Sequence, residues 1–215
     1  AQGNFTGNLS LQGQSFNLED MEGNFRLDGD AWQWGPYQAQ TVTAKGSLTN
    51  GVITLLPVRL ASGESFLNLS GTVGGENQSA QLQVNQIPIA GLQNIVELPE
   101  FIGVSGFVNG TATVAGKQNN PTARGELSVE QATLNQTPIQ TIQGSFSYNN
   151  SQLNFFAEGL LSQDSDPLTI SGDVPYQLPF AVVPPASEEL NIDINLQDDG
   201  FALLDVVTNG QLTWE

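Results

Sequence analysis

Gly110-Thr-Ala112-Thr-Val114-Ala-Gly116, Gly125-Glu-Leu127-Ser-Val129 and Gly144-Ser-Phe146-Ser-Tyr148 share one pattern: a leading glycine, then apolar side chains at every second position with polar ones between. A period of two belongs to an extended strand with one apolar and one polar face. Working outward, the same pattern returns in Gly7-Asn-Leu9-Ser-Leu11-Gln-Gly13, Gly23-Asn-Phe25-Arg-Leu27-Asp-Gly29, Leu67-Asn-Leu69-Ser-Gly71, Leu168-Thr-Ile170-Ser-Gly172 and Leu190-Asn-Ile192-Asp-Ile194-Asn-Leu196. These phrases predict half-exposed antiparallel strands joined by glycine, Asn-Gly, Asn-Asn or Asp-Gly turns.

A longer repeat of about 100 residues lies above this alternation. Gly7 to Gly13 returns at Gly110 to Gly116, Gly23 to Leu27 at Gly125 to Val129, and Gly46-Ser-Leu48 at Gly144-Ser-Phe146. Ile53-Thr-Leu55-Leu56 returns at Leu153-Asn-Phe155-Phe156, and Leu69-Ser-Gly71 at Ile170-Ser-Gly172. Matches in the same order signal an array whose units lean on their neighbours. The expected units are residues 1–105 and 106–209, with 210–215 opening a third, so the chain reads as an excised piece of a longer one. Ile89 to Val96 and Phe201 to Val207 break the alternation with apolar spacings of three and four, which predicts two short helices covering apolar surface. Pro175 to Pro185 is expected to be an extended loop or edge, because proline cannot donate to a central ladder.

Composition excludes several kinds of function. Only 13% of the 215 residues are charged, and 22 acidic residues stand against five basic ones, for a net charge of −17. Nothing here neutralises a row of phosphates, so nucleic acid is excluded as a partner. With no Cys and no His, thiol chemistry, a Ser-His-Asp triad and imidazole or thiolate metal sites cannot be built. The acidic pairs Asp164-Ser-Asp166, Asp198-Asp199 and Glu188-Glu189 lack calcium-loop spacing and read as solvated loop charge. No nucleotide-binding motif is present, and no apolar run reaches the ~20 residues that span a bilayer. The expectation is a protein without catalytic activity, cofactor or metal. Trp32 and Trp34, two residues apart with Tyr37 behind, are expected to form a cross-strand aromatic cluster or an end cap.

A one-sided apolar sheet must be covered by a second sheet, by helices or by its own curvature. Helices are too few here, which leaves a sandwich, a solenoid or a strongly curved single sheet. The run from Gly110 to Gly116 through Pro121-Thr-Ala-Arg-Gly125-Glu-Leu127-Ser-Val129, Leu134-Asn-Gln-Thr-Pro138, Ile142-Gln-Gly144-Ser-Phe146 and Leu168-Thr-Ile170-Ser-Gly172 resembles the C-terminal repeat region of the TamB family. The first unit departs from that pattern, lacking the proline between strands and inserting Trp32-Gln-Trp34-Gly-Pro36-Tyr37. The acidic, Asn- and Gln-rich style is similar to cyanobacterial members and their chloroplast-envelope relatives.

The resemblance implies an all-β fold: an elongated, strongly curved antiparallel sheet, a β-taco or repeating β-groove, with an apolar concave face and at most one or two short helices. It also implies a periplasmic or intermembrane location and a parent chain anchored in the inner membrane. Phospholipid acyl chains are then the direct partner, and an outer-membrane barrel of the BamA type the partner of the parent chain. The implied role is phospholipid transport between membranes, or alternatively docking in the assembly or translocation of proteins at that barrel. The groove residues would be Leu9, Leu11, Phe25, Leu27, Leu48, Leu67, Leu69, Leu82, Val84, Val114, Leu127, Val129, Phe146, Leu153, Phe155, Leu168, Ile170, Ile192 and Ile194.

Overall fold

A computed structural model describes residues 2–15, 17–34, 37–74, 77–89, 103–117, 119–160, 166–178 and 181–195. Alternating residues form β1 (Gln2–Gly13), β2 (Met21–Trp34), β3 (Tyr37–Thr49), β4 (Val52–Ser62), β5 (Ser65–Val73) and β6 (Gln78–Pro88). They continue as β7 (Val104–Lys117), β8 (Asn120–Leu134), β9 (Thr137–Ile139), β10 (Thr141–Asn149), β11 (Gln152–Leu160), β12 (Leu168–Pro175) and β13 (Asn191–Asn195). A 3-10 turn at Leu18–Asp20, capped by Asn17, links β1 to β2. The residues of both expected helices, apart from Ile89, lie outside the described set.

All thirteen strands form one antiparallel sheet in chain order from β1 to β13, with β9 attached to the end of β8. The sheet is elongated, curved and not closed, with β1 and β13 its outermost strands among the described residues. The sandwich and solenoid alternatives therefore give way to the single curved sheet.

Local chemistry explains the joints. Asn50 and Gly51 (φ 51° and 75°) and Asn150 and Ser151 (φ 48° and 55°) sit at positive φ, as a two-residue hairpin matching the strand twist requires. The second turn begins on the second residue of an Asn-Asn pair, Asn149-Asn150. Asp28-Gly29 is no turn at all; it continues β2, and Gly29 leaves room for the Phe5 ring, which a Cβ would meet at 2.6 Å. Pro57 falls inside β4, where the register with β3 and β5 shifts, so the missing N–H removes no regular ladder bond.

Register shifts also occur beside Ala31 in β2, Gln86 in β6 and Gln131 in β8, each at φ near +50°. These β-bulges lie on even-numbered strands, all running in the same direction, and a bulge bends its strand and increases the twist. Their recurrence on one strand direction curves the sheet as a whole.

Beyond Pro175 the chain leaves the sheet as a loop, in line with its proline content. That loop folds back on one end of the second half. Tyr176 N donates to Ser151 O, Val182 N to Asn119 O, and Ser151 Oγ to Val183 O at 2.5 Å. Tyr148 and Ser151 are buried beneath it, and Ala181 within it.

Candidate functional site: the apolar face

Residues directly opposite in an antiparallel pair share a face, so the register traces each face across the sheet. One row reads Phe5–Gly29–Val42–Leu60–Leu67–Val84–Gly110–Leu127–Gly144–Ala157–Ile170–Ile194. It crosses the twelve strands of the main path and contains only apolar residues and glycine. The next row runs Val58–Leu69–Leu82–Ala112–Gly125–Phe146–Phe155–Gly172–Ile192. Beside it runs Leu9–Phe25–Gly46–Leu55–Gly71–Ala80–Val114–Ala123–Tyr148–Leu153–Val174.

The 19 residues singled out from the sequence all fall on this face. Fourteen of them stand in the three rows just named, and the remaining five, Leu11, Leu27, Leu48, Val129 and Leu168, continue it. Leu27 pairs with Ala44, Leu48 with Gly23 and Ile53, and Val129 with Val108 and Ile142. Leu11 lies opposite Gly23 and Leu168 opposite Gly159. The bulges displace neighbouring rows and keep these residues on one side, while Leu56, beside the β4 bulge, stands opposite Lys45 on the polar face. Sequence reading missed several members of the same face, including Val42, Leu60 and Tyr148. Val42-Thr-Ala44-Lys-Gly46-Ser-Leu48 shows the alternation that could have found the first.

Glycine and phenylalanine share this surface by complementary size. A Cβ on Gly46 would meet the Phe25 ring at 2.5 Å, one on Gly125 the Phe146 ring at 2.6 Å, and one on Gly172 the Phe155 ring at 2.9 Å. The rings lie over the neighbouring strand because glycine stands opposite, which keeps the face low and continuous. Burial is deepest at Val42, Ala44 and Leu48 on β3, at Tyr148 on β10, and at Val129, Ala132 and Ile139, where β9 pairs with the end of β8. Elsewhere most of the face is half-buried; Leu9 and Leu11 on β1 and Ile192 and Ile194 on β13 are exposed, and Leu127, at mid-sheet, is 40% exposed. Among the described residues no second sheet lies over it.

The opposite face is polar almost throughout. Its matching row is Thr6–Asp28–Thr43–Arg59–Asn68–Gln83–Thr111–Glu126–Ser145–Phe156–Ser171–Asp193. Arg59 Nη1 donates to Asn68 Oδ1 at 3.1 Å, Asn68 Nδ2 donates to Gln83 Oε1 at 3.4 Å, and the Arg59 guanidinium lies 4.1 Å from the Phe66 ring centre. Arg26 forms a bidentate pair with Asp28; the hydrogen bond from Arg26 holds the Asp28 carboxyl below the usual carboxylate range. A solvent-open depression of about 700 Å³ lies on this side, lined by Glu126, Glu130, Glu158, Gln143 and Phe156 among others. Gln86 Nε2 donates to Glu130 Oε2 there at 2.6 Å, and Asn109 Nδ2 is buried without a partner. Sequence reading did not foresee this depression, which arises from the twist of β6 to β11.

Other expected features resolve simply. Trp32 is half-buried opposite buried Ala39, and the backbones of Trp34 and Tyr37 stand opposite each other in the β2–β3 ladder. Glu188 and Glu189 are exposed, while Asp164, Asp198 and Asp199 lie outside the described residues. No group of three or more acidic residues among the described residues is placed to hold a metal ion.

With one continuous apolar face on an open sheet, the comparison with known proteins becomes informative. The chain is similar to Protein TIC236, chloroplastic, of Arabidopsis thaliana. The two are 29% identical over 100 residues, covering 46% of this chain and 4% of that protein. The chain thus spans a small part of this relative's length. No protein-family model and no solved structure matches. Over the region it covers, the likeness to TIC236 is consistent with a TamB-like chain and with the expected chloroplast-envelope relatives. No described helix is long and apolar enough to cross a membrane.

Proposed function

We propose that the apolar face binds lipid acyl chains non-covalently, as a segment of a TamB-like bridge carrying phospholipid between an inner and an outer membrane. The observation that carries this reading is the unbroken apolar row from Phe5 to Ile194 on a sheet with no covering layer among the described residues. Twelve strands at ~4.8 Å spacing extend such a row over about 50 Å, against about 15 Å for the hydrocarbon of one bilayer leaflet. Each methylene moved from water onto apolar surface is favourable by ~0.8 kcal/mol, so an acyl chain needs no specific polar contact to be held. A strip of this kind favours no particular chain length and allows sliding along its axis. The longer protein would lie in the periplasm or intermembrane space, anchored in the inner membrane and meeting a BamA-type barrel at the outer one.

Photo-crosslinking tests the reading directly. Benzoylphenylalanine at Leu69 or Leu127, on the apolar face, is expected to give phospholipid adducts in cells, and at Thr111, on the polar face, none. Labelling of protein alone at all three positions, or equal lipid labelling at Thr111, would overturn the proposal.

A further inference from the structure

Resting on the lipid-binding reading of the apolar face, we propose that this face selects lipids whose head groups carry no net negative charge, zwitterionic or uncharged, over anionic lipids with the same acyl chains. The placement of charge around the face sets the preference.

The chain has five basic residues, and the strand register puts all five on the polar face. Arg26 stands opposite Lys45, and Arg59 opposite Thr43. Arg124 stands opposite Thr113, and Lys117 follows Thr113 and Ala115 on the same side of β7. Three of them are already engaged on that face. Arg26 pairs with Asp28, Arg59 with Asn68 and the Phe66 ring, and Arg124 Nε donates to Thr113 Oγ1 at 3.3 Å. The three apolar rows hold no charged residue, so an acyl chain laid along them brings its head group to no cation on that side of the sheet.

A head group lies where the apolar face meets water, at the two long borders made of strand ends and turns. One border carries Glu19 and Asp20 in the 3-10 turn between β1 and β2, Glu22 at the start of β2, and Glu188 and Glu189 in the loop leading into β13. Lys117, at the end of β7, is the single cation there. The other border carries Glu64 in the turn between β4 and β5 and Asp166 just before β12. All seven acidic residues are exposed. An anionic head group within a Debye length of these side chains, ~8 Å at physiological salt and ~30 Å at 0.01 M, is repelled by each of them, and the net charge of −17 acts with the same sign. In a zwitterionic head group the ammonium offsets the phosphate, and the acidic borders attract the one about as much as they repel the other.

The purified chain is equilibrated with vesicles of equimolar phosphatidylcholine and phosphatidylglycerol bearing the same acyl chains, separated from them, and its retained lipid is quantified by mass spectrometry. Both lipids share one bilayer, so repulsion between chain and vesicle is common to both. The expected result is an excess of phosphatidylcholine of about fivefold at ~0.01 M salt, shrinking toward parity at ~1 M. Glu19→Lys combined with Glu64→Lys, one at each border, should bring the low-salt ratio near parity. Glu126→Lys combined with Asp193→Lys makes the same change of net charge within the polar row and should leave most of the excess. All four side chains are exposed, and retained folding is checked by circular dichroism. Retention of phosphatidylglycerol equal to or above that of phosphatidylcholine at low salt, or a ratio moved equally by both pairs of substitutions, would overturn the proposal. Absence of any retained lipid would overturn the lipid-binding reading itself, and the preference with it.

Discussion

Gly125→Ala and Gly159→Ala add the same methyl group to the same face and are expected to have opposite effects. In an extended strand, replacing glycine by alanine ordinarily stabilises by ~0.4–1 kcal/mol, because the unfolded chain loses freedom. At Gly159 nothing opposes that gain, since the nearest atom to the new Cβ is Thr141 O at 4.0 Å. At Gly125 the Cβ would lie 2.6 Å from Phe146 Cε1 and 2.7 Å from Thr111 O. A ring and a neighbouring strand must both give way, and overpacking of this kind costs about 1–3 kcal/mol. The net expectation is destabilisation by ~1–2 kcal/mol at Gly125 and stabilisation by ~0.5 kcal/mol at Gly159. Urea unfolding followed by circular dichroism reads both. With a slope of about 2 kcal/mol/M, Gly125→Ala lowers the midpoint by roughly 0.5–1 M. Adding Phe146→Leu removes part of the clash, so the double variant should show a favourable coupling of ~1 kcal/mol. If the two alanine variants shift the midpoint in the same direction, or if the coupling is absent, the ring-over-glycine account of this face is wrong.

Three other outcomes follow from the geometry. Ser151→Ala removes a buried donor to Val183 O at 2.5 Å and should destabilise by ~1–2 kcal/mol, with faster amide exchange at Tyr176 and Val182; unchanged exchange would mean the loop does not depend on this contact. The Asp28 carboxyl should titrate below the ordinary carboxylate range by NMR, and Arg26→Gln should raise its midpoint; because the folded value is depressed, the stabilisation is present above the unfolded pKa and lost as pH falls through the folded one. Leu60→Glu, which puts a charge into the apolar row between Val42 and Leu67, should destabilise far more than Thr43→Glu on the polar face, as compared by thermal unfolding.

The strand class and the apolar face were legible because alternation is local: Leu67-Asn-Leu69 declares its face whichever strand it meets. Which strands meet was less so. That the strands form one open sheet, and not a sandwich, depends on pairing over the whole chain, and the alternating pattern is the same in both. Among the bulges, only the one beside Pro57 has a residue that marks it. Ala31, Gln86 and Gln131 adopt positive φ without glycine or asparagine to announce it, because pairing on both sides imposes the bend. Asp28-Gly29 looked like a turn since those residues favour one, yet Gly29 serves to seat the Phe5 ring within β2. The depression on the polar face was invisible for a similar reason, as it is shaped by sheet twist and by side chains from β6 to β11.

The central claim is that the apolar face is an open lipid-holding surface. Its most direct test is native mass spectrometry of the chain purified without detergent, comparing the parent sequence with Leu127→Glu on the apolar face and Ser145→Glu on the polar face. The account predicts phospholipid retained by the parent and by Ser145→Glu, and lost from Leu127→Glu while the chain stays folded. Lipid-free parent protein, or lipid retained equally by all three chains, would contradict it.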